Sequence, residues 1–218
     1  MTDVKSTRSY RSPLREAAAQ ATREAVLTAA EELFLEQGFT LTSIDQIAAR
    51  AAVSRPTVFS VGSKAAVLAE LRDRALAGDD ERLPVRDRPW FVALLADPEP
   101  AGVLRRYADG VAQIAKRYAP LEEVLHQAAG AHEDLRELWQ TNERQRHAGA
   151  TMVVDDLLAK GRLRHDRDTS RDLLWLLTSS QHYRRLVHGR RWSHQRYKQW
   201  LSTTMCEQLL PRSPGEGG

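Results

Sequence analysis

SIDQIAARAAVSRPTVFSVGSK, residues 43–64, writes two short helical patterns around an interruption of about three residues. Ile44, Ile47, Ala48 and Ala51 share one face of the first, and either Thr42 or Ser43 caps it, with Asp45 or Gln46 three residues on to complete a capping box. The second opens at Ser54, with Pro56 inside the first turn, where a missing N–H costs nothing. Helices below about 12 residues are marginal alone in water. So tight a pair implies that one helix holds the other at a fixed angle. In a helix-turn-helix the held helix enters the major groove of DNA with its N-terminal residues at the base edges. Here these are Ser54, Arg55, Pro56 and Thr57. Arginine donates two hydrogen bonds to guanine, and a threonine methyl packs against that of thymine. The competing reading is a surface corner between two helices of an all-helical protein.

The flanks support the first reading. A helix is expected from about Thr22 to Gln37, with Val26, Ala30, Leu33 and Phe34 on one face and Gly38 as the stop. Ser63 caps a fourth helix that carries Val67, Leu68 and Leu71 towards Gly78. Lys64 stands in its first turn, where a cation opposes the helix dipole, unless a phosphate sits there to receive both the ammonium and the free N–H groups. GDDERLPVRDRP, residues 78–89, is a linker by its prolines and polarity. Helices follow at about 90–96, 100–118, 120–160 (breaking near Gly130), 169–187 and 193–210. No segment alternates with period two, so the class is all-α.

Composition narrows the function. Of 218 residues 42% are hydrophobic and 28% charged, and 32 Lys+Arg against 29 Asp+Glu leave a net charge of +3. Neither a membrane span nor a secretory leader is visible, so no membrane partner is expected and the cytoplasm is the expected compartment. The single cysteine, Cys206, cannot form an intrachain disulfide. Lys5, Arg8, Arg11 and Arg15 make the first residues a basic arm, read as disordered, either a solvated tail or a phosphate contact. HEDLR at 132–136 begins like a zinc motif but has Arg136 where the second histidine belongs. No nucleophile set or phosphate loop stands out. We expect no metal, no cofactor and no catalysis.

REAVLTAAEELFLEQGFTLTSIDQIAARAAVSRPTVFSVGSKAAVL, residues 23–68, resembles the DNA-binding domain of TetR-family transcriptional regulators. It shares a first helix ending Leu-Phe-x-x-x-Gly-Phe, then Thr-Ser-x-x-x-Ile-Ala, Val-Ser-x-x-Thr-Val-aromatic, and a lysine opening helix four. Residues 161–210 are similar to the last two helices of many members. Four departures stand out: Ala52 replaces a usual glycine, Phe59 a usual tyrosine, Val61 and Gly62 a common aromatic pair, and six residues rather than seven separate Thr57 from Lys64. The resemblance implies a three-helix helix-turn-helix domain over residues 21–66 after an arm of 1–20. A helical effector-binding and dimerisation domain over 67–211 and a disordered tail of 212–218 complete the chain. It implies double-stranded DNA as partner, contacted by Thr42, Ser43, Ser54, Arg55, Pro56, Thr57, Phe59 and Lys64. It also implies a small-molecule effector, with Tyr107, His126, Gln127 and Trp139 as pocket candidates among aromatics that plain core packing explains as well.

Apolar residues on more than one face of the last two helices predict a two-fold contact between chains. Leu174, Trp175, Leu177, Tyr183, Trp200, Leu201 and Met205 are its candidates. The expected whole is a homodimeric repressor on a palindromic operator. The alternative is a helical ligand-binding or interaction protein whose degenerate helix-turn-helix no longer grips DNA. The basic run from Arg184 to Lys198 reads as a solvated face.

Overall fold

The computed structural model describes residues 13–78 and 85–211, all helix and connecting turns. The basic arm up to residue 12, the middle of the linker and the tail from residue 212 lie outside the described residues. The chain divides into two compact units, one ending at Leu68 and the other starting at Ala69.

The first unit holds α1 (Pro13–Leu41), α2 (Ile44–Arg50), α3 (Arg55–Val61) and the opening of α4 (Lys64–Ala77). Helix α1 begins at Pro13, not Thr22, because LREAAAQ is rich in strong helix formers; Thr22 caps nothing and donates its hydroxyl back to Ala18 O at 2.9 Å. Gly38 interrupts it at φ 82, ψ 167, a region essentially restricted to glycine. The turn brings Phe39 to within 5.5 Å of Phe34, ring centre to ring centre. Val26, Ala30, Phe34, Ile47, Val58 and Leu68 are fully buried and form the core, so each short helix gains its stability from burial rather than propensity. On the outer side Arg50 makes a paired contact to Glu36, 2.7 and 2.9 Å, which ties α2 to α1 and holds the Glu36 carboxyl below its usual range.

The second unit contains the rest of α4, a 3₁₀ turn (Val85–Asp87), α5 (Pro89–Leu95), α6 (Pro100–Ala129), α7 (Glu133–Lys160), α8 (Arg167–Leu177), α9 (Ser180–Tyr183), a π-helical turn (Arg184–His188) and α10 (His194–Leu209). The central helix is α6, packed against α5, α7, α9 and α10, while α7 packs on α8. Two expectations fail here. Pro120 does not begin a helix but lies inside α6. An interior proline costs about 3 kcal/mol, whereas Tyr118, Leu121 and Leu125 around it are at most 1% exposed, each contributing roughly 1.5–3 kcal/mol by burial. Continuity wins. The helix expected over 169–187 instead stops at Leu177, since the Thr178 hydroxyl donates to Trp175 O (2.9 Å) and Ser179 caps α9 by accepting from Gln181 N–H. Hydroxyl side chains there offer the backbone an alternative to the ladder. Among the described residues no helix is long and apolar enough to cross a membrane.

Candidate nucleic-acid interface

Helix α2 is capped reciprocally: Ser43 Oγ accepts from Gln46 N–H (3.2 Å) and Gln46 Oε1 accepts from Ser43 N–H (2.8 Å). Its end closes in a Schellman pattern, with Val53 N–H on Ala48 O (3.0 Å) and Ala52 N–H on Ala49 O (3.2 Å). That pattern requires a left-handed residue, and Ala52 fills the position at φ 54. A side chain there costs roughly 1 kcal/mol. Ala52→Gly is therefore expected to raise stability by about 1 kcal/mol, read as a higher urea midpoint at unchanged slope; a lowered midpoint contradicts the strain.

Ser54 caps α3, accepting from Thr57 N–H at 3.3 Å, and the two hydroxyls lie 2.7 Å apart. Ser54, Arg55 and Pro56 are exposed and Thr57 is half-buried. Arg55 Nε sits 3.1 Å from Asp45 Oδ1, and both side chains are well exposed. An exposed pair of this kind contributes under about 1 kcal/mol, so the guanidinium is free to exchange its carboxylate for a base edge or phosphate. Phe59, 55% exposed, stands further along the same helix beside exposed Ser60, a residue the sequence pattern did not single out.

Thr42 and Lys64 point elsewhere than expected. Thr42 is buried, donates to Gly38 O at 2.8 Å and accepts from Gln37 Nε2 at 3.3 Å. Lys64 turns its ammonium inward onto Phe39 O and Thr42 O, both 2.7 Å, and lies 4.2 Å from the Phe39 ring centre. Burial lowers its pKa. The opposition between a cation and a helix N-terminus is resolved by two carbonyls of the turn between α1 and α2, without a phosphate. What faces outward is the start of α3.

In the second unit, Tyr107 is buried, edge-on to Phe91 at 6.2 Å, and burial raises its hydroxyl to about 12. Trp139 is half-buried, with the exposed His126 edge-on to it at 4.8 Å. Gln127 donates to Glu123 at 2.8 Å on the surface. His126 and Gln127 therefore face outward, because the helical period turns Leu121, Leu125 and Ala128 inward instead. The polar groups that do face the interior were missed. Glu122, Asn142 and Arg72 are each at most 5% exposed, and Tyr118 is 1% exposed. A signal for Glu122 exists, since it falls on the stripe of positions 104, 108, 111, 115, 118, 122 and 125, which is otherwise apolar or tyrosine.

The residues expected between chains also divide. Leu174, Tyr183, Leu201 and Met205 are at most 2% exposed within one chain, and belong to its own core because α6 packs on α9 and α10 while α8 packs on α7 and α10. Trp175, Leu177 and Trp200 are only half-buried, and Leu176 is 53% exposed. His132 stands at the N-cap of α7, and among the described residues no group of three His, Cys, Asp or Glu side chains converges as a metal site would.

Residues 26–71 match the family model described as "Bacterial regulatory proteins, tetR family". Over 69 residues the chain is 44% identical to the uncharacterized HTH-type transcriptional regulator YdeS of Bacillus subtilis (strain 168); this stretch spans 31% of the chain and 33% of that relative. The fold as a whole is similar to that of NalD, the secondary repressor of the MexAB-OprM multidrug efflux pump in Pseudomonas aeruginosa. The TM-score is 0.68 at 25% identity, over 90% of this chain and 100% of that one. It is also similar to the SmeT–triclosan complex, with a TM-score of 0.65 at 20% identity over 91% and 98% of the two chains.

Proposed function

We propose that this chain, which belongs to the TetR family of bacterial regulatory proteins, is a cytoplasmic, homodimeric repressor that leaves a palindromic operator when a small molecule binds its second unit. Like the rest of that family it is a regulator and not an enzyme. In this reading residues 21–66 bind DNA and 67–211 bind effector and partner chain. The observation that carries it is the exposed N-terminal turn of α3, held by the capped and strained turn before it and presenting Arg55 on an exchangeable carboxylate. Ser43, Ser54, Pro56, Thr57 and Phe59 surround that arginine or lie along the same pair of helices, and serve as positioning contacts to the backbone or to thymine methyls.

A second reading, a ligand-binding protein that has lost DNA, is favoured by two observations: Phe59 has no hydroxyl to offer a phosphate, and Lys64 is turned inward. A gel-shift on the DNA upstream of the chain's own gene, across a salt series, separates the two. Binding that weakens steeply with salt and is competed only by the same sequence supports the regulator; its absence at low salt supports the alternative. Within the regulator reading, Arg55→Ala is expected to cost about 1–3 kcal/mol at the cognate site and to relax base preference at one position of each half-site. An Arg55→Ala protein with the original base profile sinks the role of α3.

A further inference from the structure

Five side chains meet between α4, α6 and α7. Tyr118 and Glu122, four residues apart, share one face of α6; Asn142 and Arg146, likewise four apart, share one face of α7. Arg72 reaches in from α4, donating from NH2 to Asn142 Oδ1 (3.2 Å) and Gln145 Oε1 (2.6 Å). Each arginine already has a carboxylate, Asp73 at 2.6 Å from Arg72 and Glu143 at 2.7 Å from Arg146, and Arg146 also donates to Trp175 O at 2.7 Å. Yet Arg72 Nε, Arg146 Nε, Asn142 Nδ2, the Tyr118 hydroxyl and Glu122 Oε1 are all buried without a hydrogen-bond partner. The Tyr118 hydroxyl lies beside the Arg72 guanidinium without a well-formed bond to it.

A buried polar atom left unpaired loses its hydration without a replacement, which destabilises the fold. Five in one place form an unsatisfied set, and its chemistry is one-sided. Two guanidinium N–H groups and an amide N–H only donate. The phenol donates or accepts. The carboxyl at Glu122 does either when protonated, and burial, followed by Glu143 and Glu123 against the opposing Arg146 and Arg184, pushes its pKa up to about 7. A cation placed here meets two guanidinium groups, whereas an oxygen anion meets donors on several sides. The neighbouring α6 stripe, Val111, Ala115 and Leu125, is apolar. Pro120, between Tyr118 and Glu122 in the chain, removes one N–H from the α6 ladder.

We infer that the Arg72–Tyr118–Glu122–Asn142–Arg146 cluster is the polar end of the effector site, and that it receives the acidic oxygen, carboxylate or phenolate, of an otherwise apolar molecule. This rests on the regulatory reading of the second unit and names its ligand class. Glu122 stays protonated against the bound anion and donates to it. The charged and titratable groups that face Glu122 are Tyr118 and Glu123 on α6, Glu143 and Arg146 from α7, Arg184 from the π-helical turn and Tyr197 from α10, while Arg72 from α4 reaches the cluster through Tyr118 and Asn142. An anion added among them raises the Glu122 pKa further, so binding takes up a proton above about pH 7 and affinity falls by up to about tenfold per pH unit there.

The test is calorimetry on the full chain with salicylate and 2-naphthoate as probes, benzylamine as the cationic counterpart and benzyl alcohol as the neutral one, in two buffers of different ionisation heat. The acids are expected to bind in preference to the amine and the alcohol, with net proton uptake. Asn142→Asp, which replaces the donor by a carboxylate at equal size, is expected to weaken acid binding about tenfold or more, while Glu122→Gln, which cannot titrate, is expected to abolish the proton uptake. Thermal melts of both variants check that they fold; a variant that does not fold is replaced by Tyr118→Phe, expected to weaken acid binding severalfold. Preferential binding of the amine, proton release, acid binding unaffected by Asn142→Asp or by Tyr118→Phe, proton uptake kept by Glu122→Gln, or no binding of either acid each overturns the assignment. A gel-shift with the same probes separates the two levels: acid that binds but leaves the DNA complex intact retains the ligand class and removes the regulatory reading. DNA binding by a chain that takes neither acid removes the ligand class alone.

Discussion

Lys64→Met is expected to destabilise the first unit by about 3 kcal/mol, more than any other single exposed-helix substitution there. The ammonium donates to two carbonyls, Phe39 O and Thr42 O, at 2.7 Å each. Hydrogen bonds to a charged donor contribute roughly 1.5–3 kcal/mol apiece, offset in part by the cost of burying the charge. Methionine keeps the length and apolar contact of the stem with the Phe39 ring while removing the donor, so the loss isolates the two bonds. Urea unfolding and hydrogen exchange at Phe39–Lys64 give the readout. DNA affinity should fall in proportion to the unfolded fraction, with a salt slope close to that of the unaltered protein, since the ammonium already faces carbonyls. A slope reduced by about one counterion in a fully folded variant instead identifies Lys64 as a phosphate contact and contradicts the inward geometry as the DNA-bound state.

Leu176→Arg is expected to convert a dimer into monomers and to lower operator affinity about 10²–10⁴-fold. Leu176 is 53% exposed, with half-buried Trp175, Leu177 and Trp200 in the same segment and in α10. In the proposed two-fold contact this side chain is covered by the same surface of the partner chain. Leu176 is a cleaner choice than the half-buried Leu177, because an arginine at an exposed position leaves the chain's own core intact. Two half-sites then have to be bound independently, and the advantage of linkage disappears. Sedimentation gives the association state, and circular dichroism verifies that helix content is unchanged. An unaltered protein that sediments as a monomer at micromolar concentration refutes the interface, as does a Leu176→Arg protein that remains a dimer.

The parts of this molecule legible in the sequence are those whose physics is local. The capping box of Ser43 and Gln46, the cap at Ser54 and Pro56 in the first turn of α3 each depend on residues within five positions of one another. A short stretch therefore dictates the helix-turn-helix and, through its apolar spacing, the all-α class. Direction and pairing across the interior depend on groups far apart in the chain, and local pattern does not specify them. Lys64 finds carbonyls 25 and 22 positions before it, where the helix dipole alone suggested a phosphate. Four of the apolar residues expected between chains are used up inside one, because α6 takes both α9 and α10 against it and α8 packs on α7 and α10. His126 and Gln127 lie one step around the helix from the buried stripe that carries Glu122, and a step of about 100° decides between solvent and interior. Local capping and apolar spacing determined the helix-turn-helix pair; packing decided that α6 runs on through Pro120 and which polar groups are left facing one another in the core, because a buried donor or acceptor is satisfied or stranded by whatever distant segment covers it.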